Sequence, residues 1–475
     1  SSALILCDCE RQTLTLLGAR MGNASSSGAV HANEPASADP VKPSRRSSRS
    51  ASSSTPLTVV KDNSTQTATS LKRQSPCNAV CMFLVLAVVY FGLCLAAIFS
   101  VQAQGVLVFS TFVKNSKDLT NLLKMDLPQA KNIQITTEDG VVLKGWHMMP
   151  PGAEVLSANQ MDDLDRNTYF DQTLAVAPRV VVYFHGNSNT RGQTMRVSKI
   201  KHLATYLDAH IITFDYRGFA DSQGSASEHG TALDSRAVVR YLDAIVRRYN
   251  PKYTGYLPGE GVGAEASEPM LASLGVSETA VLPSVGMGMG SKQGPSRAQP
   301  LLYLYGHSLG TAIATALAVE LDQGMPGVLA GLMLDSPFTT MPEAARNHPL
   351  SAPFRLFPLI FEAIIDNMQI MYPTIERVAS VGAPLLIFHG DRDIKIDMEH
   401  SRRLFQVATN TSIVSNGTVR SHAGVLTPAG IDTKGHVVEL HIIQNAGHCD
   451  CYASRQWLHA LPSFVQRAEK RRESF

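Results

Sequence analysis

The sequence predicts an α/β fold, a mostly parallel sheet with helices on both faces, preceded by a membrane-crossing helix and a disordered tail. Three observations carry this. Short apolar runs recur along residues 130–475 with the length and β-branched composition of strands buried on both sides. Longer stretches with helical periodicity separate them, the alternation of a parallel sheet wrapped by its crossovers. Ahead of them the run Val80–Val101 holds no charge and is long enough, as a helix, to cross the ~30 Å hydrocarbon core of a bilayer.

Taken from the start, residues 1–79 read as a disordered tail. Their Ser, Ala and Thr content (Arg45 to Ser54 is typical) buries too little apolar surface to repay chain entropy. Met21 offers an alternative start, and Met21-Gly22-Asn23-Ala24-Ser25-Ser26 fits the N-myristoylation pattern. Lys72 and Arg73 precede the apolar run closely, with Lys61, Arg49, Arg46 and Arg45 behind them, against Lys114 and Lys117 beyond it. That asymmetry predicts a cytosolic tail and a globular part across the membrane. The sequons at Asn410 and Asn416 then predict a glycoprotein, and Cys77 and Cys81 would lie at the cytosolic boundary, where palmitoylation falls. Residues 102–129 read as a juxtamembrane linker.

The globular part opens with a hairpin, Ile133–Thr137 and Val141–His147, around Asp139-Gly140. Strands follow at Val180–Phe184, Ile211–Phe214, Leu301–Tyr305, Leu329–Leu334, Leu385–Phe388 and Val437–Ile443. Helices are expected at Met195–Leu207, Thr231–Arg248, Leu309–Asp322 and Met398–Val407. Polar or Gly-rich insertions break the rhythm at 151–178, 250–298 and 409–435. Residues 342–372, strongly apolar and placed between two strands, read as a helical lid.

Gly306-His307-Ser308-Leu309-Gly310 carries the chemistry. It follows a strand and opens a helix, where a nucleophile on a tight turn needs small neighbours and gains the field of a helix N-terminus. A serine hydroxyl attacks only when a base takes its proton. His448, in Asn445-Ala446-Gly447-His448 after the last strand, is that base, while His436 and His441 read as structural. The order serine, acid, histidine places the acid after the preceding strand. There His389-Gly390-Asp391-Arg392-Asp393 favours Asp393 over Asp391, with Asp335 a third candidate whose bland reading is a helix cap. Acyl transfer also needs donors for the developing oxyanion. His185-Gly186-Asn187, directly after a strand, supplies the backbone N–H of Asn187; Leu309 supplies the second. His185 reads as structural and Arg217 as a loop pin.

Exclusions are equally informative. The net charge of +2 argues against a nucleic-acid partner. Neither a metal site nor a phosphate loop is present by spacing, so no cofactor is expected; Cys449 and Cys451 form an isolated C-x-C.

The whole arrangement is that of an α/β hydrolase. His185-Gly186-Asn187 with Thr190-Arg191-Gly192, Thr213-Phe214-Asp215-Tyr216-Arg217-Gly218-Phe219, Asp221-Ser222-Gln223-Gly224, Gly306 to Thr311, Ser336-Pro337-Phe338-Thr339 and Pro384 to Ile387 resemble the α/β-hydrolase domain-containing protein 12 family. The resemblance covers roughly residues 130–470 outside the insertions. It implies an endoplasmic-reticulum membrane enzyme with a lumenal active site, a triad of Ser308, Asp393 and His448, and lysophospholipid (such as lysophosphatidylserine) or monoacylglycerol substrates. The insertions and the long tail depart from the family pattern. Two other readings compete: a protein depalmitoylase, whose relatives use a cysteine cluster where this chain has an apolar helix, and a non-catalytic receptor or adhesion module on a hydrolase scaffold. The presence of serine, acid and histidine weighs against the latter.

Overall fold

The short apolar runs assemble into one sheet. The computed structural model describes residues 76–111, 118–151, 163–253, 255–256, 299–410, 418–420, 426–432 and 434–472. The expected tail, the pattern at Gly22, most of 250–298 and the Asn416 sequon lie outside them. The strands are β1 (Ala130–Thr136), β2 (Val142–Met148), β3 (Arg179–Phe184), β4 (His210–Phe214), β5 (Leu301–His307), β6 (Leu329–Asp335), β7 (Leu385–Gly390), β8 (Thr418–Arg420), β9 (Leu426–Ile431) and β10 (Val437–Ile443). Among the described residues their order is β1-β2-β4-β3-β5-β6-β7-β10-β9-β8. The six from β4 to β10 run parallel, and antiparallel strands close both edges.

The helices are α1 (Pro76–Phe99), α2 (Val101–Val108), α3 (Asp163–Ala175), α4 (Thr194–Leu207), α5 (Glu228–Tyr249), α6 (Leu309–Gly324), α7 (Met341–Asn347), α8 (Pro358–Asp366), α9 (Thr374–Arg377), α10 (Glu399–Thr409) and α11 (Arg455–Arg472). Because side chains alternate along a strand, the sheet buries two cores. Val180, Val182, Leu302 and Leu304 pack with α5 and α6. Val181, Tyr183, Tyr303 and Tyr305 pack with Val197, Ile200 and Leu203 of α4 and with Trp457, Leu461 and Phe464 of α11. Here the expected α/β-hydrolase arrangement is present, including helices on both faces.

Several expectations change. The 151–178 insertion contains α3, which buries Phe170 and Leu174 and pairs Asp171 with Lys131 of β1 at 2.5 Å. The 409–435 insertion is partly sheet, since β9 pairs antiparallel with β10 and β8 with β9. Residues 102–129 are no linker: α2 lies within them, Leu119, Leu122, Met125 and Leu127 are buried, and the Trp146 indole donates to the Leu119 carbonyl at 3.0 Å.

By its contacts the chain divides into Ser1–Val89 and Tyr90–Phe475. In the first unit, Pro76–Val89 is helical. The uncharged run is not one helix to its end. Ser100 takes an extended conformation (φ −119) and its hydroxyl accepts the Ala103 N–H at 3.2 Å, capping α2 and stopping α1. Among the described residues no single helix is long and apolar enough to cross a membrane; Val80–Ala96 and Val101–Val108, a bent pair, meet that measure together by length and composition only.

In the second unit, Tyr90–Phe99 packs on the expected lid. Cys94 and Ile364 are buried with Tyr90, Ile98, Phe354 and Ile360 around them, and the Tyr90 hydroxyl donates to the Pro353 carbonyl at 3.1 Å. The lid splits into two faces. Phe361, Ile364, Ile365 and Ile370 are core, whereas Leu350, Leu356 and Leu359 are 63%, 73% and 89% exposed.

One buried pair sets an acid limit. His147 Nε2 and His210 Nδ1 lie 2.8 Å apart in full burial. Burial first, then the charge of Lys131, pushes His210 down to about 3; burial likewise depresses His147. An unfolded histidine titrates near ~6.5, so between about 6.5 and about 3 the unfolded chain binds more protons. The pair's contribution is therefore complete above about pH 6.5 and lost as pH falls. The unfolding free energy in urea should drop between about pH 7 and about pH 5, by up to about 1.4 kcal/mol per pH unit per group. His210→Gln should flatten that slope; an unchanged slope would remove the pair as its cause.

Candidate active site

Ser308 lies between the end of β5 and the start of α6, with φ 53 and ψ −119. The turn is tight enough that only glycine fits beside it. A Cβ on Gly306 would come within 2.5 Å of the Gly310 carbonyl oxygen, and one on Gly310 within 2.2 Å of the Phe184 carbonyl oxygen. The Ser308 N–H donates to the Asp335 carbonyl at 2.9 Å, tying the turn to the end of β6.

His448 Nε2 is 2.9 Å from Ser308 Oγ, and its Nδ1 is 2.7 Å from Asp393 Oδ2. The Asp393 side chain is fully buried and also accepts the N–H groups of Lys395 and Ile396 at 2.9 and 3.0 Å. Burial would raise its pKa, but His448 and His389 outweigh that and hold the carboxyl well below the usual range. Asp393 is thus an ionised acceptor. It fixes the proton on His448 Nδ1 and leaves Nε2 free to take the Ser308 proton. Asp391 does not reach His448; one of its oxygens is buried without a partner.

Two further histidines hold this relay. His389 Nε2 faces the Ile396 carbonyl at 2.9 Å, so that nitrogen is the donor, and it is shared with Asp393 at 3.3 Å. Its Nδ1 then accepts from the Ser401 hydroxyl at 2.6 Å. His307 Nε2 donates to the His448 carbonyl at 2.9 Å. Burial, then the charge of Lys199, depresses His307, which keeps it neutral. The acid and histidine loops are joined directly, Asp391 N–H to the Ile443 carbonyl at 3.1 Å and Arg392 N–H to the Ala446 carbonyl at 2.9 Å.

The loop after β3 lies against the serine: a Cβ on Gly186 would meet Ser308 Cβ at 3.0 Å. Ser188 and Asn189 are both left-handed, at φ 61. Buried Arg196 of α4 holds this loop by its carbonyls, donating to those of Gly186, Asn187, Ser188 and Thr190 at 2.8, 3.2, 2.7 and 3.0 Å. A trans peptide points its C=O and N–H in opposite directions. With the Gly186 carbonyl turned to Arg196, the Asn187 N–H points away from it. Leu309, first residue of α6, has no acceptor within its own helix for its N–H.

Asp335 is not a helix cap. Its carboxylate is fully buried, ion-paired with fully buried Lys199 and accepting the Tyr305 hydroxyl at 2.9 Å; the Trp457 indole donates to that hydroxyl at 3.2 Å. Arg217 is a loop pin, pairing with Asp234 and Asp139, each at 2.7 Å. His185 is buried against Tyr216, His436 pairs with Asp432, and His441 pairs with Glu439. Among the described residues no cluster of His, Cys, Asp and Glu could hold a metal ion.

Sequence reasoning missed Arg196, Lys199, His307 and His389. His307 and His389 were in view inside their motifs; a lysine and an arginine on the buried face of a predicted helix were the signal for the other two.

No protein-family model matches the chain. Among curated proteins, lysophosphatidylserine lipase ABHD12 of Danio rerio is 28% identical over 328 residues, covering 68% of this chain and 70% of that protein. Lysophosphatidylserine lipase ABHD12 of Gallus gallus is 29% identical over 313 residues, covering 65% and 67%. Protein ABHD12B of Homo sapiens is 27% identical over 311 residues, covering 64% and 69%. Among solved structures, the Pyrococcus furiosus esterase Pf2001 is 15% identical and covers 74% of this chain and 97% of that chain, with a TM-score of 0.43. Est1E from Butyrivibrio proteoclasticus is also 15% identical and covers 71% and 99%, with a TM-score of 0.40.

The Lys199 pair gives a stability test. Lys199→Met strands a buried carboxylate and should cost about 3–5 kcal/mol in chemical denaturation. Adding Asp335→Asn should recover much of that loss. A double variant no better than the single would show that the pair is not what makes Lys199 necessary.

Proposed function

We propose that this chain, a serine ester hydrolase related to the α/β-hydrolase domain-containing protein 12 family, cleaves long-chain esters of single-chain lipids at a membrane through an acyl-Ser308 intermediate. The observation that carries it is the continuous relay from Asp393 through His448 to Ser308 Oγ. His448 Nε2 removes the hydroxyl proton as Ser308 attacks the ester carbonyl, and Asp393 stabilises the imidazolium. The N–H groups of Asn187 and Leu309 receive the oxyanion. His448 then protonates the leaving alcohol, and a water activated by the same nitrogen releases the fatty acid.

The substrate reading is lysophospholipid, with lysophosphatidylserine as the relatives' names suggest, or monoacylglycerol. Its support is the two-faced lid. His348, in that segment, is depressed to about 4 by burial, then by Lys395 and His448. Exposed Leu350, Leu356 and Leu359 offer an acyl chain or bilayer an apolar face. Membrane attachment is read from the uncharged run Val80–Val101, an endoplasmic-reticulum location from the family resemblance, and a lumenal catalytic face from the charge asymmetry around that run. Asn410, left-handed at the end of α10, would be glycosylated in that topology. Protease digestion of the catalytic domain in sealed microsomes would dismiss the lumenal orientation.

Ser308→Ala should abolish fluorophosphonate labelling and lower turnover by about 10⁴-fold or more. Asp393→Asn should cripple turnover while Asp391→Asn stays mild, since only the former orients His448. The opposite ranking would transfer the acid role to Asp391.

Each methylene buried under the lid can contribute about 0.8 kcal/mol, so turnover on membranes should rise with acyl length. Phe357→Asp should reduce long-chain far more than short-chain turnover. Cleavage confined to short soluble esters would refute the lipid assignment and leave the relay intact.

A further inference from the structure

Gln104 is an amide buried to 2% exposure in the middle of the short helix α2. Burying an amide is costly unless both of its ends are paired. Its Nε2 donates to the Asn367 carbonyl at 2.9 Å, and its Oε1 accepts the Gln369 N–H at 2.8 Å. Both partners are backbone groups of the lid segment, at the end of α8.

One helical turn further on, a second amide makes the reciprocal contact. The Asn187 side chain donates through Nδ2 to the Val108 carbonyl and accepts the Ser110 N–H through Oδ1 at 3.0 Å. The same Oδ1 accepts the Ser188 N–H at 2.7 Å. Between these contacts Phe109 is buried with its ring edge-on to Tyr372, centroids 6.3 Å apart.

We propose that Gln104 and the Asn187 side chain are positioning residues, and that α2 is a strap through them, joining the lid to the loop that presents the Asn187 N–H to the oxyanion. The inference rests on the hydrolase reading given above. From Gln104 to Val108 is one turn, about 6 Å of helix, too short to bend. The oxyanion loop is therefore clamped from two sides. Arg196 holds its carbonyls from α4, which is part of the core. Asn187 holds it from α2, which Gln104 ties to the lid and which is contiguous with the apolar helix. An oxyanion donor displaced by a fraction of an ångström loses much of its effect. The strap accordingly makes turnover, not substrate binding, depend on how the lid sits.

The test uses the full chain in detergent, with a short-chain soluble ester that does not need the lid for binding. Active sites are counted by fluorophosphonate titration, and Tm is recorded for each variant. Gln104→Ala and Asn187→Ala should each lower kcat per active site by about tenfold or more with KM within about twofold. The double variant should lose no more than the worse single one, because the strap is already cut. If an alanine variant does not fold, Gln104→Glu and Asn187→Asp keep the shape and the acceptor half of each contact, and should show the same pattern at smaller size. A purely structural role would lower Tm and the number of active sites and leave kcat per site unchanged, which would overturn the proposal. So would losses that multiply in the double variant. Turnover that is abolished by Ser308→Ala but unaltered in Gln104→Ala overturns the strap alone; turnover that survives Ser308→Ala overturns the hydrolase reading and the strap with it.

Discussion

Ser308 is held in a backbone conformation that residues with a side chain avoid, and such a conformation costs on the order of 1–3 kcal/mol. It persists because its surroundings leave no alternative. Packing of α6 over β3 and β5 is so close that Gly310 lies on the Phe184 carbonyl, and relaxing the turn would drive the helix into the sheet. The Ser308 N–H is spent on the Asp335 carbonyl, so the strained residue also depends on where β6 ends. That end is fixed in turn by the buried carboxylate of Asp335, with Lys199 from one face and Tyr305 and Trp457 beside it. A strained turn, a strand end and a buried ion pair form one mechanical unit.

The same unit orders the charges. Two buried carboxylates lie at the ends of neighbouring strands, Asp335 as the last residue of β6 and Asp393 in the loop after β7. Lys199 pairs with the first, while the second is held by His448 and His389. Either strand end could have carried the acid. Which one orients His448 is decided by the helix facing the other. His307 completes the order from below: neutral and donating to the His448 carbonyl, it links the residue before the serine to the backbone of the base.

How much of this was legible follows from what each feature depends on. The parallel strands were readable because burial on both faces imposes a composition that no other element shares. The Ser308 turn was readable because it demands glycine at two fixed offsets. α3 was not, since a helix whose buried side includes Thr168, Asp171 and Thr173 carries little apolar periodicity. Gln104, Arg196 and Lys199 were illegible for a related reason. Each is a polar side chain made tolerable in the interior by partners remote in sequence, and nothing near it announces those partners. The end of the apolar run was misread because Ser100 is uncharged: hydropathy passes over it, and only its capping geometry breaks the helix.

The folded unit therefore begins well before its sheet does. A shortened chain begun where the sheet begins, at Ala130, would keep every strand, the serine, the acid and the histidine. It would lack the Leu119 carbonyl that satisfies Trp146, the side chains that cover that face of the sheet, and the backbone that the Asn187 amide grips. Tyr90 marks where the second unit starts, inside the apolar stretch itself. From Tyr90 onward the inward-facing side of that stretch, Cys94 above all, belongs to the second unit, so substitutions that make the stretch more polar are confined to its exposed side.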